Sequence, residues 1–179
     1  MGTVNVIYDS RHPERYDMLL KEFETQGITD FKFWDCIVLP NVVESINASH
    51  KMIVRDAKER GLDEVIIAED DLMFTSPNSW QYFLSQKPKD YDLYLWGSYI
   101  LPISNNMVCG FQLYFVSSKF YDRYLSIKDD AHVDNEMDTL KGDYHYCYPF
   151  PALQRKGFSA NNKMVSDYNL ILKEEDIYK

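Results

Sequence analysis

The sequence predicts an α/β fold in which helices flank a mostly parallel β-sheet, with residues 1–179 forming a single compact domain. Strand-like and helix-like segments alternate from the amino terminus, and a β-α-β-α-β order implies parallel strands joined by right-handed crossovers. The length of 179 residues and a hydrophobic fraction of 45% suit one domain with a buried core. The pattern contains no repeat, low-complexity tract or linker that would indicate a second domain.

The first β-α-β unit is marked by an apolar segment and a helical repeat. Residues 4–8 are typical of a buried strand. Pro13 suits the first turn of the following helix, where its missing N–H leaves no bond unmade. Apolar residues at helical spacing continue to Gly27, which is expected to end that helix. Residues 31–39 form the second predicted strand, because Pro40 stops the apolar run.

The second helix leads into the clearest strand of the chain. Residues 45–60 place apolar side chains at helical spacing and end at Gly61. Residues 64–68 form a short β-branched run, typical of a central strand covered on both faces. Shorter segments follow. The further predicted strands are 91–96, 111–116 and 144–148, and the further predicted helices are 79–85, 119–125 and 134–140.

Two polar clusters follow predicted strands, at residues 9–15 after the first strand and 69–71 after the third. In parallel sheets, ligands bind outside the carboxyl ends of the strands, where the connecting loops diverge. The order of the strands in the sheet decides whether the two clusters meet.

The charge and the cysteines exclude several classes of protein. Lys and Arg number 19 and Asp and Glu 28, and the net charge of −9 argues against a nucleic-acid partner. Three widely spaced cysteines without a CxxC motif predict neither a zinc site nor a disulfide framework, only packed thiols. The amino terminus lacks the pattern of a signal peptide, and no apolar run approaches the ~20 residues of a membrane span. We therefore expect a cytoplasmic protein.

The triplet Glu69-Asp70-Asp71 is the strongest functional signal. If strand geometry persists, Glu69 and Asp71 point to one side and Asp70 to the other. Adjacent carboxylates repel one another, and a hard divalent cation such as Mg²⁺ or Mn²⁺ relieves the repulsion. The alternative from the triplet alone is a solvated acidic turn.

Other charged residues each carry a functional and a structural interpretation. Arg11 and Arg15 suit a phosphate or ribose at a loop-to-helix junction, or an exposed helix face paired with Glu14. His50 lies within a helix, where packing is the more common role. Asp134 belongs to a cluster near a helix start with His132, Glu136 and Asp138. Any of these could be a general base, but carboxylates at a helix start are favourable without a catalytic role.

Several segments together resemble the glycosyltransferases of family 25, which act in lipopolysaccharide synthesis and collagen glycosylation. The run 66–71 matches the Glu-Asp-Asp motif of that family, and 48–50 is similar to its Leu-Ser-His segment with Ala48 for leucine. Weaker similarities keep the family's order over nearly the whole chain. They lie at 6–15, 91–97, 109–117, 133–134 and 148–159.

The resemblance implies a GT-A-like, Rossmann-related fold and an inverting, metal-dependent transfer of a sugar from a nucleotide sugar to a hydroxyl acceptor. It implies Asp71 as ligand of Mn²⁺ or Mg²⁺ and Asp134 as general base. Donor contacts, expected for a UDP sugar, fall on one group of residues. They are Tyr8, Asp9, Arg11, Arg15, His50, Glu69 and Asp70.

Three alternatives stay open on the sequence. A non-catalytic nucleotide-sugar or carbohydrate-binding module would keep the acidic motif. A Mg²⁺-dependent phosphotransfer domain would use Asp9, which lacks the companion Asp two positions on. A glycosyltransferase acting on DNA or RNA is permitted by the fold but disfavoured by the net charge. A histidine often completes such metal sites near the carboxyl terminus, and His145 is the weak candidate for it.

Overall fold

The computed structural model describes residues 2–99, 110–159, 161 and 163–179. Cys109, part of the predicted resemblance, lies outside these residues. The strands are β1 (Val4–Tyr8), β2 (Phe31–Asp35), β3 (Glu64–Glu69), β4 (Leu72–Phe74), β5 (Leu93–Leu95), β6 (Leu113–Ser117), β7 (Tyr144–Tyr146), β8 (Ala152–Gln154), β9 (Gly157–Ser159) and β10 (Met164–Ser166). The α-helices are α1 (Pro13–Gln26), α2 (Val42–Glu59), α3 (Ser79–Ser85), α4 (Tyr121–Leu125) and α5 (Met137–Leu140). Short 3₁₀ helices span Ser118–Phe120, Tyr168–Ile171 and Glu174–Asp176.

Six strands form the central sheet in the order β2-β1-β3-β6-β5-β7. β6 runs antiparallel to its neighbours β3 and β5, and the other five strands share one direction. Two small antiparallel pairs, β4 with β8 and β9 with β10, lie outside this sheet. The predicted α/β class with a mostly parallel sheet is confirmed.

The central strand β3 is covered on both faces, as its β-branched run predicted. Ile66 and Ala68 pack into one core cluster with α1 and α3 residues such as Phe23 and Trp80. Val65 and Ile67 pack into a second cluster with α2 and α4 residues such as Ile53. Alternate side chains of a strand point to opposite faces, so a continuous apolar run is buried twice.

Most predicted elements keep their place and change in length. β2 ends at Asp35 instead of residue 39, because β1, against which it pairs, ends at Tyr8. α2 begins three residues earlier than predicted, because the Asn41 side chain accepts a hydrogen bond from the Val43 N–H and caps it. Strands β8, β9 and β10 lie where the sequence predicted only a turn and a closing segment. They are three residues long each, too short for alternation to indicate them.

None of the helices in the described part of the chain combines the length and apolar character that a membrane crossing requires.

Candidate active site

The carboxyl ends of β1 and β3 open onto one cleft of about 440 Å³. These strands are neighbours in the sheet, so the two polar clusters that follow them meet. The residues predicted as donor contacts, metal ligand and general base line the cleft with the exception of Tyr8, namely Asp9, Arg11, Arg15, His50, Glu69, Asp70, Asp71 and Asp134.

Tyr8 is not among the described residues that line the cleft. Its ring packs against Tyr16 and Phe33, with centroids 5.6 and 5.7 Å away. Ile7, its neighbour on β1, lines the cleft instead. Because successive side chains on a strand point to opposite faces, Ile7 and Tyr8 cannot both line the cleft in regular strand geometry.

Residues 69–71, which we call the acidic turn, end β3 and lead into β4. Strand pairing stops at Glu69, and Arg155 fixes the following backbone by donating its N–H to the Asp71 carbonyl at 2.6 Å. The side chains alternate as predicted. Asp70 points toward β1, whereas the amides of Gln112 and Gln154 link Glu69 to Asp71.

Asp70 is a buried and fully paired carboxylate, only 6% exposed. Its Oδ2 accepts the Asp9 backbone N–H at 2.8 Å, and its Oδ1 accepts Nη1 of Arg15 at 2.8 Å. Burial raises the pKa of Asp70, and these two donors oppose the shift. Nη2 of Arg15 also donates to the Phe158 carbonyl at 2.8 Å, so the guanidinium joins the acidic turn to β9. This pairing replaces the predicted alternative in which Glu14 serves as the partner of an exposed arginine.

Asp71 lies in a different environment. Its Oδ2 accepts from Nε2 of Gln154 at 2.9 Å, whereas its Oδ1 is buried and has no hydrogen-bond partner among the described residues. Burial, reinforced by Glu69 and Asp70, raises the pKa of Asp71 to about 7. A buried acceptor without a partner is costly, so this oxygen favours either a proton or a cation.

Glu69 connects the acidic turn to a buried row of hydroxyl and imidazole groups. Its Oε1 lies 3.2 Å from Nε2 of His50, whose Nδ1 lies 2.7 Å from the Tyr114 hydroxyl. The Tyr114 hydroxyl in turn lies 2.8 Å from that of Tyr124. His50 is 1% exposed, and its imidazole joins Glu69 to the Tyr114 hydroxyl, so a role in shaping the site stays a prediction.

Arg11 and Asp9 form an exposed pair at the rim of the cleft. Nε and Nη2 of Arg11 donate to the two oxygens of Asp9 at 2.7 and 2.6 Å. These hydrogen bonds lower the pKa of Asp9. Both residues remain at the cleft, but each largely neutralises the charge of the other.

Asp134 lies in the segment 127–135, which precedes α5 and which we call the Asp134 loop. Its Oδ1 accepts the Asn135 N–H at 2.9 Å, and its Oδ2 accepts the Gly110 N–H at 3.3 Å. Burial raises the pKa of Asp134, and the nearby negative charge of Glu69 adds to the shift. A carboxylate with a raised pKa is a stronger base, which suits abstraction of a proton from a hydroxyl.

The residues fit a cation only with help from a ligand. No group of three or more His, Cys, Asp or Glu residues in the described ranges is arranged to hold a metal ion. The His145 candidate pairs with Asp143 at 3.0 Å and does not line the cleft. Mg²⁺ and Mn²⁺, however, are often held by one or two carboxylates, with phosphate oxygens and water completing the shell. The unpaired Oδ1 of Asp71 meets that requirement.

Sequence reasoning missed three polar residues at the cleft or beside it. No sequence motif indicates Gln112, and Gln154 falls only within the weak similarity at 148–159. Gln112 is a buried polar residue at the start of an apolar strand, which is the signal that would have found it. Asn47, buried in α2, had no such signal, because its partners lie more than 80 residues away along the chain.

Comparison with known proteins finds similarity in fold alone. No protein-family model matches the chain, and no curated protein matches it. A glycosyltransferase involved in the glycosylation of the major capsid of PBCV-1 superposes with a TM-score of 0.55 at 10% identity, over 83% of this chain and 82% of that one. A197 from STIV superposes with a TM-score of 0.50 at 13% identity, over 82% of each chain. The GT-A-like fold class is confirmed, and membership of family 25 stays a prediction.

Proposed function

We propose that the protein is an inverting glycosyltransferase that moves a hexose from a nucleotide sugar, of the UDP-sugar class, to a hydroxyl group of a saccharide or other small acceptor. The observation that carries the proposal is the meeting of the acidic turn, two arginines and Asp134 in one cleft. A fold shared with a glycosyltransferase supports it.

Asp71 is the residue we assign to the divalent cation, Mn²⁺ or Mg²⁺. Its unpaired Oδ1 is the available ligand, while Glu69 and Asp70 already have partners for both oxygens. When bound, such an ion neutralises the charge that develops on a leaving diphosphate.

Arg15 and Arg11 are assigned to the donor. Arg15 is held by Asp70 and by the Phe158 carbonyl, so its guanidinium is preorganised rather than free to rotate. Arg11 is exposed, and it can exchange its Asp9 partner for a phosphate or a ribose hydroxyl. Asp9 and the Glu69–His50 pair border the same space.

Asp134 is assigned to the acceptor. Its carboxylate takes the proton of the acceptor hydroxyl as that oxygen bonds to the anomeric carbon. The bond from the anomeric carbon to the diphosphate oxygen breaks in the same step, and the electron pair leaves with the nucleotide. Attack from the face opposite the leaving group inverts the configuration.

A screen of nucleotide diphosphates and nucleotide sugars, each with and without Mn²⁺, tests the proposal. We expect one nucleotide class to raise the melting temperature only with metal, and the matching nucleotide sugar to be hydrolysed slowly in the absence of an acceptor. Asp71→Asn should lose the metal-dependent shift while remaining folded.

The possible results separate the candidate functions. No shift at millimolar nucleotide overturns donor binding. A shift without sugar release in long incubations, unchanged in Asp134→Asn, identifies a binding module instead of an enzyme. Phosphoryl labelling of Asp9 would identify the phosphotransfer alternative.

A further inference from the structure

The Asp134 loop is attached to the rest of the molecule by an unusual set of buried polar contacts from α2. Nδ2 of Asn47 donates to the carbonyl oxygens of Lys128 at 2.7 Å and Ala131 at 2.9 Å. Nζ of Lys51 donates to the Ile127 carbonyl and, at 2.7 Å, to Oδ1 of Asp129. Asn47 and Lys51 stand four residues apart, so both face the loop from one side of the helix.

These contacts bury polar and charged groups at a cost in free energy. Asn47 is 0% exposed and its Oδ1 has no partner in the described residues, while the ammonium group of Lys51 belongs to a side chain only 4% exposed. Burying an amide oxygen without a hydrogen bond costs free energy, and burying a cation costs more unless it is well paired. The partner of Lys51, Asp129, is almost fully exposed and does not offset that cost well. Apolar side chains at both positions would hold α2 against the loop without this desolvation cost.

Apolar packing already presses the loop against the core. Ile127 and Val133 are both buried in the cluster that includes α2 residues. Such packing is non-directional, so it sets the depth of the loop but not its register along the helix. Hydrogen bonds to the carbonyl oxygens of residues 127, 128 and 131 do set the register.

The same helix also contacts the acidic turn. His50, on α2 between Asn47 and Lys51, lies 3.2 Å from Glu69 through its Nε2. One helix of 18 residues therefore contacts both Glu69 of the acidic turn and the backbone of the Asp134 loop. Because an α-helix is rigid over one turn, it fixes the distance between them.

We propose that Asn47 and Lys51 are positioning residues, which clamp the Asp134 loop to α2 and so hold the carboxylate of Asp134 at a fixed distance from the acidic turn. The proposal rests on the proposed function of Asp134 as general base. Neither residue touches substrate. They act through the backbone of the loop, which carries Asp134. The position of the loop matters because misplacing a catalytic group by about 1 Å can reduce a rate by about 10²-fold.

The test compares Asn47→Leu and Lys51→Met with a matched control, Gln26→Met. Leucine and methionine keep the volume of each side chain and remove its donors. Gln26 is also a buried amide that ties a helix to a segment, donating to the Ser76 carbonyl and accepting the Trp80 N–H, but it is not among the described residues that line the cleft. Each protein is assayed for transfer, for nucleotide binding with Mn²⁺ and for amide hydrogen exchange of residues 127–135.

We expect both clamp variants to lose at least tenfold in kcat, to keep the affinity for nucleotide within about twofold, and to exchange the loop amides faster. Gln26→Met should lose thermal stability and change neither kcat nor loop exchange. Unchanged kcat in both clamp variants, or an equal loss in the control, overturns the proposal.

If Asn47→Leu does not fold, Lys51→Met and the milder Asn47→Ser decide the question by the same criteria. A wild-type protein that transfers no sugar fails the proposed function and the catalytic role of the clamp together, whereas active wild type with unaffected clamp variants fails the clamp alone. Loop exchange that is unchanged in the clamp variants overturns the structural half in either case.

Discussion

The acidic turn and the Asp134 loop border the same cleft but are held in place by different means. The acidic turn sits at the end of a central strand, and most of its partners come from segments next to that strand end: the Asp9 N–H, Arg15, Gln112 and Gln154. Of the described residues of α2, His50 alone hydrogen-bonds to it. The Asp134 loop belongs to no strand, and α2 holds it through its backbone carbonyls. A strand end is thus positioned by the sheet itself, whereas a loop needs dedicated polar contacts.

The largest effect that follows from this comparison is that of Asp134→Asn on turnover. The amide keeps the shape of the side chain but cannot accept a proton, so we expect kcat to fall by about 10³-fold, within the range for loss of a general base. Nucleotide binding with Mn²⁺ should stay within about twofold, because the acidic turn is untouched. Initial-rate kinetics and calorimetric titration measure the two quantities.

The control for this prediction is Asp138→Asn, on the exposed side of α5. Asp138 shares the helical segment that the sequence predicted for Asp134, but it is not among the described residues that line the cleft. Full activity in Asp138→Asn with the stated loss in Asp134→Asn supports the assignment. Equal activity of Asp134→Asn and the wild type would show that Asp134 is not the general base and that its loop has no catalytic role.

The sequence predicted the acidic turn more completely than the Asp134 loop, for a physical reason. The rule that ligands bind at the carboxyl ends of parallel strands brought residues 9–15 and 69–71 together once β1 and β3 proved to be neighbours. No comparable rule applies to the loop. The charge pattern offered Asp134 only as one of several candidate bases, and the resemblance selected it. The Asn47 contacts that hold its loop span 81 and 84 positions of sequence. Periodicity reports local structure, so it predicted the major helices and strands. It could not predict the three-residue strands β8 to β10 or the contacts between α2 and the loop.

Two arginines of the same segment should differ in their contribution to stability. Arg15 is 16% exposed in its side chain and pairs with Asp70, which is 7% exposed, whereas Arg11 is 58% exposed and pairs with Asp9 at the rim. Removing one partner of a buried pair leaves an uncompensated charge and costs about 3 kcal/mol, whereas an exposed pair contributes under about 1 kcal/mol. Arg15→Gln should therefore lower the free energy of unfolding by about 3 kcal/mol and Arg11→Gln by under about 1 kcal/mol.

Urea unfolding at pH 7 measures both variants against the wild type. The double variant Arg15→Gln with Asp70→Asn is the control, because it removes the stranded carboxylate. It should be more stable than Arg15→Gln alone. Equal losses for Arg11→Gln and Arg15→Gln would show that burial of the acidic turn is not what makes the Arg15 pair matter.

A further expected effect is a pH-dependent difference in melting temperature between the wild type and Asp71→Asn. The pKa of Asp71 is raised to about 7, from an ordinary value of 3.8, chiefly by burial. The folded state thus keeps a proton that the unfolded state releases, so the stability linked to Asp71 is fully present below about pH 4 and is lost as pH rises to about 7.

Asparagine resembles the protonated acid at every pH, so the two proteins should melt alike at pH 4 and the variant should melt several degrees higher at pH 8. The shift of Asp134 is present in both proteins and cancels in the difference, whereas Asp70 interacts with the Asp71 charge and its response is part of the measured difference. Scanning calorimetry from pH 4 to 8 without metal measures it, and parallel curves for the two proteins would mean that Oδ1 of Asp71 finds a partner in solution. In that case Asp71 would be as fully satisfied as Asp70, and the argument for a cation at the acidic turn would lose its structural basis.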